Sequence, residues 1–503
     1  MSLTSFSFFV FLLITIISFY VISPAQKYIL LIASLYFYIN VSPISKMKMG
    51  LIIFFVGMVT YVGAILIEKA NGVWKNLILS GSVLSLVLVL FIFKYAYNVF
   101  FMFAEVFHSP ANFSWLKFLT VIGISYYALS AIGYMVDVFW GNEKADRNIA
   151  EVFLFIFYFP QLISGPLTRF GMMRPQITER RKFDLNNIFL GMRRMAWGYF
   201  KKLVISERFA VVVTAIYGNY SEYSFVGIIG ATLCYAVQLY TDFSGCMDII
   251  MGASLMFGIK LPENFNAPFF SETIQEFWQR WHITLGTWFK DYLMFPLQKS
   301  KKIQLIGKWA KKKFGKKVGR KVPFYISMLV LWFLIGLWHG GTGYYFIASA
   351  GIPCVLLILS DLCQPFFHLI VSKFHMNTKC ISWRWFRRIR TLLLICICWM
   401  VVCSNGTRRF AVLLKHAFSN LWNYTSFNSA LGVIGLTSLD LLLMVIGICM
   451  LYLSDLCTYK GSSIFEVMDK QNYLFKIILI YTEVIMILMY GMVGSSPFIY
   501  FQF

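Results

Sequence analysis

Long apolar runs recur along almost the whole chain, and they limit what it can fold into. Of the 503 residues, 59% are hydrophobic and 13% are charged, and the mean hydropathy is +0.70. A soluble globule of this size needs more polar residues on its surface, whereas a membrane-spanning helix needs roughly 20 apolar residues. The runs lie at about 7–23, 28–44, 50–67, 76–97, 118–138, 151–164, 203–217, 225–241, 323–338, 343–360, 391–403, 438–457 and 474–494.

These runs predict an all-α, polytopic membrane protein with about 11 to 13 membrane segments. Several runs are shorter than a full span. We therefore expect broken or re-entrant helices, which are tolerated only where the irregular backbone is buried in protein or lines a wet cavity. The first run has no Lys or Arg before it, and Val21–Gln26 after it lacks a small-residue cleavage site. We interpret it as a retained first helix and not a signal peptide.

The net charge of +23 is divided among short segments between the apolar runs. Eleven Lys and Arg without any acid lie in 299–321, nine lie in 169–202, and four arginines lie in 383–390. By the positive-inside rule these loops face the cytoplasm, where they can also touch anionic lipid headgroups. We therefore favour membrane lipid as a contact and expect no nucleic acid partner.

The cysteines do not form a metal-binding pattern. No C-x-x-C pair is present, and most of the ten lie in apolar runs, where cysteine behaves as a small hydrophobe. We expect no metal site. The positions are 234, 246, 354, 363, 380, 396, 398, 403, 449 and 457.

The chain shows no internal repeat and no soluble domain, so we predict a single membrane domain over 1–503 with a motif-bearing core at about 118–360. Two long loops, 166–202 and 258–322, are surrounded by prolines. Helices in these regions should stop or bend because proline cannot continue the backbone hydrogen-bond ladder.

The second loop contains Phe277–Tyr292, FWQRWHITLGTWFKDY, in which charged residues alternate with tryptophans. If 279–293 forms one helix, it is amphipathic and lies along the membrane interface or lines a cavity. His282 and Asp291 would then be half a turn out of phase and could not form a dyad within it. The three stripes of that helix would be Trp281, Leu285, Trp288 and Tyr292; His282, Gly286, Phe289 and Leu293; and Arg280, Thr284, Thr287 and Asp291.

His339 ends an apolar run and stands among the glycines 336, 340, 341 and 343. An ionisable residue at membrane depth indicates function, and the glycines permit a backbone break and close approach of a ligand. A neutral imidazole, with an ordinary pKa of ~6.5, can take the proton of a hydroxyl that attacks an acyl carbonyl, and burial keeps it neutral. The alternative is a structural histidine bonded to a carbonyl. Both roles remain open for His282.

Around these histidines the sequence resembles the membrane-bound O-acyltransferase family, and in particular its bacterial alginate O-acetylation branch. The family patterns F-W-x-R-W-H-x-[ST], W-x-R-D-Y and G-L-W-H-G correspond to 277–284, 288–292 and 336–340. Further similar stretches are Tyr158–Pro166, Tyr240–Asp248, Leu261–Asn266 and Pro497–Phe503.

The resemblance implies a helical shell around a central tunnel, with His339 as the essential catalytic residue and His282 in support. It also implies that acetyl groups pass from cytosolic acetyl-CoA across the bacterial cytoplasmic membrane, with no bound cofactor. A separate extracytoplasmic, esterase-like partner would place them on a polysaccharide hydroxyl. Candidate substrate-binding residues are Arg280, Trp281, Trp288, Asp291, Asp242, Asn264 and Trp338; for Asn264, a simple turn is an equal alternative.

The sequence departs from the family pattern at a few positions. Lys290 stands where arginine is usual, Gly286 stands where serine is common, and Trp399–Asn405 replaces a more aromatic stretch. The last departure leaves the acceptor or partner surface open.

Two other functions compete with O-acetyl transfer. D-alanyl transfer to teichoic acid by a related branch is disfavoured by the chain length and the Phe-Gln-Phe terminus. A secondary transporter also uses broken helices, but no inverted repeat is visible and the paired tryptophan-histidine motifs have no obvious transport role.

Overall fold

The computed structural model describes residues 1–41, 46–97, 99–100, 122–340, 343–419, 434–493 and 498–499. Over these ranges the chain is helical almost throughout and forms no strand, apart from one isolated bridge between Phe265 and Trp281. The start of the predicted run 118–138, Gly341 and most of the terminal stretch Pro497–Phe503 lie outside the described residues.

The α-helices are introduced here in chain order. They are α1 (Phe6–Val21), α2 (Gln26–Val41), α3 (Lys46–Lys69), α4 (Gly72–Leu90), α5 (Ile124–Trp140), α6 (Ile149–Phe157), α7 (Phe170–Thr178), α8 (Leu185–Tyr199), α9 (Glu207–Gly218), α10 (Phe225–Leu255), α11 (Ile274–Arg280), α12 (Ile283–Phe289), α13 (Phe295–Lys299), α14 (Lys301–Phe314), α15 (Lys316–Trp338), α16 (Gly343–Phe346), α17 (Ile352–Leu362), α18 (Gln364–Lys373), α19 (Ile381–Cys403), α20 (Thr407–Ser419), α21 (Ser438–Tyr459), α22 (Ile464–Asp469) and α23 (Tyr473–Tyr490). Turns of π-helix occur at Phe91–Tyr95, Phe200–Ser206, Lys290–Met294 and Ile347–Gly351.

Seven helices in the described ranges are long and apolar enough to cross a membrane, and a bent pair raises the number to eight if it counts as one span. The prediction of an all-α polytopic membrane protein is thereby confirmed. The total of 11 to 13 segments and the central tunnel stay predictions. The seven are Lys46–Lys69, Gly72–Tyr95, Phe225–Leu255, Lys316–Trp338, Tyr344–Leu362, Ser438–Tyr459 and Tyr473–Tyr490.

Three of the predicted runs fold differently from plain spans. The run 151–164 is helical only in α6, which has nine residues and therefore extends about 14 Å, too short to cross a bilayer. The first two runs form α1 and α2, which meet through Ser23–Ala25 at a bend of 109°. Proline at position 24 explains part of this bend, because it has no N–H with which to continue the ladder of α1.

The described residues group into two compact units. One comprises 1–199 and 245–262, and the other comprises 200–244 and 263–495. The prediction of a single membrane domain is not tested by this grouping and stays a prediction. Both histidines of the sequence motifs belong to the second unit.

In the first unit, α8 packs closely against the C-terminal part of α10 through glycines. A Cβ added at Gly191 would lie 2.6 Å from the carbonyl oxygen of Gly252, and one at Gly198 would lie 2.6 Å from that of Gly245. Small residues let two backbones approach in a membrane, where packing replaces the hydrophobic driving force. Arg194 also donates to Asp248 at 2.9 Å between the same helices.

In the second unit, the basic segment 299–321 forms helices and not the predicted loop. α14 and the start of α15 are joined at Gly315, whose φ of +89° is a conformation that glycine adopts without strain. Nearly all of the lysines in this segment are exposed, while Ile303 and Ala310 are buried. We call α14 with the first turns of α15 the basic hairpin.

We predict that the basic hairpin lies on the cytoplasmic side, because the segment 299–321 that contains it carries eleven positive charges without an acid, which oppose translocation. A Lys312→Cys variant should react with a membrane-impermeant thiol reagent only after the membrane of intact cells is opened. The parent protein reports the background from its own cysteines. Reaction of Lys312→Cys in sealed cells with external reagent, above that background, would place the hairpin outside.

Candidate active site

The motif 277–292 does not form the single helix expected from its sequence. α11 ends at Arg280, and α12 begins at Ile283. Between them Trp281 is extended, and His282 has φ 48° and ψ 52° in the left-handed region. For a residue other than glycine this backbone conformation costs of order 1–3 kcal/mol, and it persists only when the surrounding structure enforces it. The three predicted stripes are therefore wrong beyond Arg280.

Pairing with the segment that precedes the motif enforces this break. The Asn266 N–H donates to the carbonyl oxygen of Arg280 at 3.0 Å, and the Ile283 N–H donates to that of Asn264 at 3.0 Å. Phe265 and Trp281 lie opposite each other in an antiparallel bridge. Backbone groups that would have continued the helix find partners in this short ladder instead, as buried groups must.

The side-chain oxygen of Asn264 accepts hydrogen bonds from three donors at the break between α11 and α12. The Thr284 N–H lies 3.1 Å away, the Thr284 hydroxyl 2.9 Å and Nδ1 of His282 3.2 Å. Because a backbone N–H can only donate, the atom it contacts is the amide oxygen. Nδ1 faces the same oxygen and therefore carries the hydrogen, so Nε2 of the neutral ring keeps its lone pair. Asn264 fixes both the tautomer and the orientation of His282.

His282 is almost fully buried, with 5% of its surface exposed. The ring of Phe243 lies edge-on at 4.8 Å, and that of Trp338 lies at 5.9 Å. Burial, and after it the positive charge of a protonated His339, hold the pKa of His282 well below its usual value. His282 lies outside the helices that are long enough to span a membrane. The ring is therefore neutral at physiological pH.

His339 stands at the end of α15 and is half-buried. Its N–H donates to the carbonyl oxygen of Ile335 at 3.0 Å, and that of Gly340 donates to Leu337 at 3.0 Å, which closes the helix. Gly340 has φ +134°, so the predicted backbone break follows His339 directly. The ring of Trp338 lies 4.9 Å from that of His339 and also contacts His282. The two predicted histidines, 57 positions apart in sequence, thus contact the same tryptophan.

Three of the predicted substrate-binding residues adjoin this histidine pair: Asn264, Trp281 and Trp338. Trp281 is 4% exposed and lies among aromatic rings, with Phe265 at 5.0 Å and Trp399 at 5.4 Å. Trp399 begins the stretch that departs from the family pattern, yet it supports the motif directly. Asn264 does not only form a turn, which was the alternative, because its side chain also accepts hydrogen bonds from His282 and Thr284.

The other predicted residues have neighbours of their own. Arg280 pairs with Glu276 at 3.0 Å and donates to the carbonyl oxygen of Asn266 at 3.0 Å. Trp288 is buried against Tyr292 at 5.1 Å, and Asp291 is half-buried in the π-helical turn Lys290–Met294 that also holds Tyr292. The role of these three residues in substrate binding stays a prediction.

Asp242 is fully buried, and its partner was missed in the sequence. Lys202 donates to it at 2.7 Å and lies 2.5 Å from Glu207, with only 2% of the lysine side chain exposed. The prediction that Lys202 belongs to a charged loop is wrong, because Lys202 lies buried in the π-helical turn Phe200–Ser206. A signal was present, since a buried carboxylate in an apolar helix requires a positive partner. Phe243, the next residue, packs on His282.

Thr284 and Phe243 were also absent from the predicted site, although both contact His282 or its anchor. Thr284 is the last position of the family pattern matched to 277–284, and Phe243 lies in the similar stretch Tyr240–Asp248, but neither residue type by itself indicates a contact with His282. Within the described residues, no group of three or more His, Cys, Asp or Glu side chains is arranged to hold a metal ion.

These features define a multi-pass helical membrane protein with a paired-histidine site. The sequence profile of the membrane-bound O-acyltransferase family matches residues 139–308. A probable alginate O-acetylase of Pseudomonas putida is 30% identical over 76% of this chain and 75% of its own length. The chain belongs to the membrane-bound O-acyltransferase family.

Two other relatives are similar over shorter regions. A probable alginate O-acetylase of Pseudomonas syringae pv. tomato is 32% identical over 65% of this chain and 57% of its own length. A peptidoglycan O-acetyltransferase of Helicobacter pylori is 30% identical over 56% of each chain. The match therefore spans only somewhat more than half the length of these two relatives.

We predict that Asn264→Leu destabilises the protein, because a side chain of similar size would leave three buried donors without their acceptor. Each unsatisfied donor costs about 1–3 kcal/mol, so the melting temperature of the purified protein should fall measurably. Asn266→Leu is the matched control, since the Asn266 side chain is exposed. Equal melting temperatures for Asn264→Leu and the wild type would show that this acceptor does not hold the break.

The depressed pKa of His282 predicts a pH dependence of stability. The unfolded ring binds a proton with an ordinary pKa of ~6.5, whereas the folded ring does not. Stability should therefore be lost as the pH falls through that value. In His282→Gln this contribution is absent, so thermal melts at pH 7.5 and 5.5 should show a smaller loss than in the wild type. The same loss in both proteins would contradict a buried, neutral His282.

Proposed function

We propose that this protein is an O-acyltransferase that moves acetyl groups from cytosolic acetyl-CoA across the bacterial cytoplasmic membrane for O-acetylation of an extracytoplasmic polysaccharide. The activities for which the relatives are named support acetyl transfer to glycans, since they refer to alginate and to peptidoglycan. The observation that carries the proposal is the pair His282 and His339 on one tryptophan, with the orientation of His282 fixed by Asn264.

In the proposed reaction His339 is the general base. Its ring takes the proton from an acceptor hydroxyl while the hydroxyl oxygen attacks the acetyl carbonyl carbon. A new C–O bond forms, the C–S bond of the thioester breaks, and the thiolate leaves with a proton returned from the imidazolium. Removing such a base typically costs 10²- to 10⁴-fold in rate. The half-buried position of His339 after the end of α15 leaves it more accessible than His282.

His282 is proposed to support this chemistry without leaving its neutral form. Its Nδ1–H is held by Asn264, so only Nε2 is available as an acceptor. A neutral ring beside His339 adds no positive charge that would lower the basicity of His339. His282 therefore acts as a positioning residue in the proposed mechanism.

The direct acceptor is proposed to belong to an extracytoplasmic, esterase-like partner or to the polysaccharide itself. Support comes from the family resemblance, in which transfer across the membrane and final placement on the sugar are separate steps. D-alanyl transfer and simple transport are the competing outcomes, and the experiment below distinguishes them.

The test uses cells that express the protein or its variants at equal levels. Isotopically labelled acetate and D-alanine are fed separately, and base-labile label is measured in the envelope polymer fraction. We expect base-labile acetyl groups with the wild type, and a loss of at least ~10²-fold in His339→Ala. His368→Ala is the control, since His368 is an exposed histidine on α18. Thermal melts of the purified variants separate lost chemistry from lost folding.

Four results would contradict the proposal or part of it. Incorporation of D-alanine without acetate would favour the teichoic acid reaction. Passage of a labelled solute into sealed vesicles without any polymer-bound acyl group would favour transport. Full acetylation by folded His339→Ala would show that His339 is not the general base. A larger defect in His282→Ala than in His339→Ala would show that the roles of the two histidines are reversed.

A further inference from the structure

The N-terminal half of α19 carries four arginines, and three of them contact Glu272. Arg384 lies 3.3 Å from the carboxylate of Glu272, and Arg387 also pairs with that carboxylate. Arg390 donates to the backbone carbonyl of Glu272 at 2.9 Å. Two of the four guanidinium groups pair with the one carboxylate, so positive charge is in excess at this end of the helix.

The acid that follows Glu272 in sequence is already engaged. Glu276 pairs with Arg280 at 3.0 Å and accepts the N–H of Glu272 at 2.8 Å. The excess charge on α19 is therefore not neutralised by the acid next in sequence.

Arg388 is the arginine of this group that makes no ion pair and no hydrogen bond with any described residue. It is 8% exposed, and its buried Nε finds no acceptor. Its guanidinium lies over three aromatic rings, at 5.0 Å from Phe270, 5.2 Å from Trp385 and 4.9 Å from Tyr459. Aromatic faces orient a cation but do not accept its in-plane N–H groups, so the fork of donors is left unfilled.

A buried charge without an anion is costly, and proteins normally pair such groups. Here the surrounding fold keeps Arg388 in place without providing the anion. The phenol ring of Tyr459 also supports Arg280, whose guanidinium lies 5.3 Å from its centroid, so two arginines share that ring. The geometry is that of a prepared anion site with an aromatic floor.

We propose that Arg388 binds the phosphate group of a ligand, either the headgroup of an anionic phospholipid or the phosphate of a soluble molecule. Guanidinium and phosphate match as a planar fork of donors and several acceptor oxygens. A phosphate also suits a site where several positive charges are in excess. One turn beyond the arginines, Leu393 and Ile397 on α19 are exposed and apolar, which is compatible with lipid next to the site.

The proposed phosphate site is distinct from the paired-histidine site but lies on a shared helix. Trp399 of α19 contacts Trp281 at 5.4 Å. The eleven residues from Arg388 to Trp399 correspond to about 16 Å along the helix. The inference does not depend on the proposed acetyl transfer, and its test does not measure that reaction.

The test compares Arg388→Gln with the wild type by thermal melting of the purified full chain. One arm uses lipid nanodiscs of phosphatidylglycerol against phosphatidylcholine, and the other adds inorganic pyrophosphate in neutral detergent. The control is Arg320→Gln, which removes the same charge from an exposed position on α15. We expect one of the two phosphate sources to raise the melting temperature of the wild type and of Arg320→Gln, but not of Arg388→Gln. The affinity for that source should fall at least ~tenfold in Arg388→Gln.

The ligand-free proteins provide a second measurement. If Arg388 is a site for an absent anion, Arg388→Gln in phosphate-free neutral detergent should melt no lower than the wild type, because an unpaired buried charge has been removed. A clear loss of stability there would mean that the aromatic contacts of Arg388 are structural and would overturn the proposal. So would the absence of a shift with both phosphate sources, or equal shifts in Arg388→Gln and the wild type.

Should Arg388→Gln not be purified in folded form, Arg388→Lys decides. It keeps the charge but loses the planar fork. A ligand-induced shift smaller than in the wild type supports phosphate binding at Arg388, and an undiminished shift contradicts it. A shift with phosphatidylglycerol alone identifies a lipid headgroup, and a shift with pyrophosphate alone identifies a soluble phosphate.

Discussion

The amide oxygen of Asn264 is the contact on which the arrangement of the site depends. It accepts from the backbone and hydroxyl of Thr284 and from the ring of His282, and thereby holds the chain in a conformation that histidine otherwise avoids. Without this acceptor, the motif would have every local reason to continue as one helix. The ring of His282 would then leave Phe243 and Trp338. Together with the backbone pairing of 264–266, this side chain divides a helical sequence into two short helices and fixes the imidazole.

Buried charge is the second constraint, and the chain handles it in two ways. Lys202 lies between Asp242 and Glu207 in the same unit as the site, so both signs are buried together. The arginines of α19 are handled differently, since Glu272 supplies one carboxylate for several guanidinium groups. Removing one member of the cluster of Lys202, Asp242 and Glu207 would leave a buried charge without its partner. Removing Arg388 takes away a charge that is already unpaired. The two clusters therefore have opposite consequences for stability.

The sequence predicted the helical membrane fold because the hydrophobic pattern that fixes it is local. It also predicted that His282 and His339 belong to one site, although that inference came from the family resemblance and not from periodicity. It failed where long-range contacts override local preference. The break at Trp281 and His282 is caused by residues 264–266, and no feature within 277–292 announces it. The burial of Lys202 was not predicted for the same reason, since its partner Asp242 is 40 positions away in sequence.

The different surroundings of the two histidines give a physical basis for different roles. His282 is enclosed, its tautomer is fixed by a neutral acceptor, and its protonation is opposed first by burial and then by charge on His339. A group held in this way can orient a neighbour but is poorly suited to gain and lose a proton in each cycle. His339 follows the end of α15 directly, is only half-buried, and is succeeded by a glycine that frees the backbone. Of the two rings, His339 is the more accessible one and is therefore the better placed to contact a substrate hydroxyl.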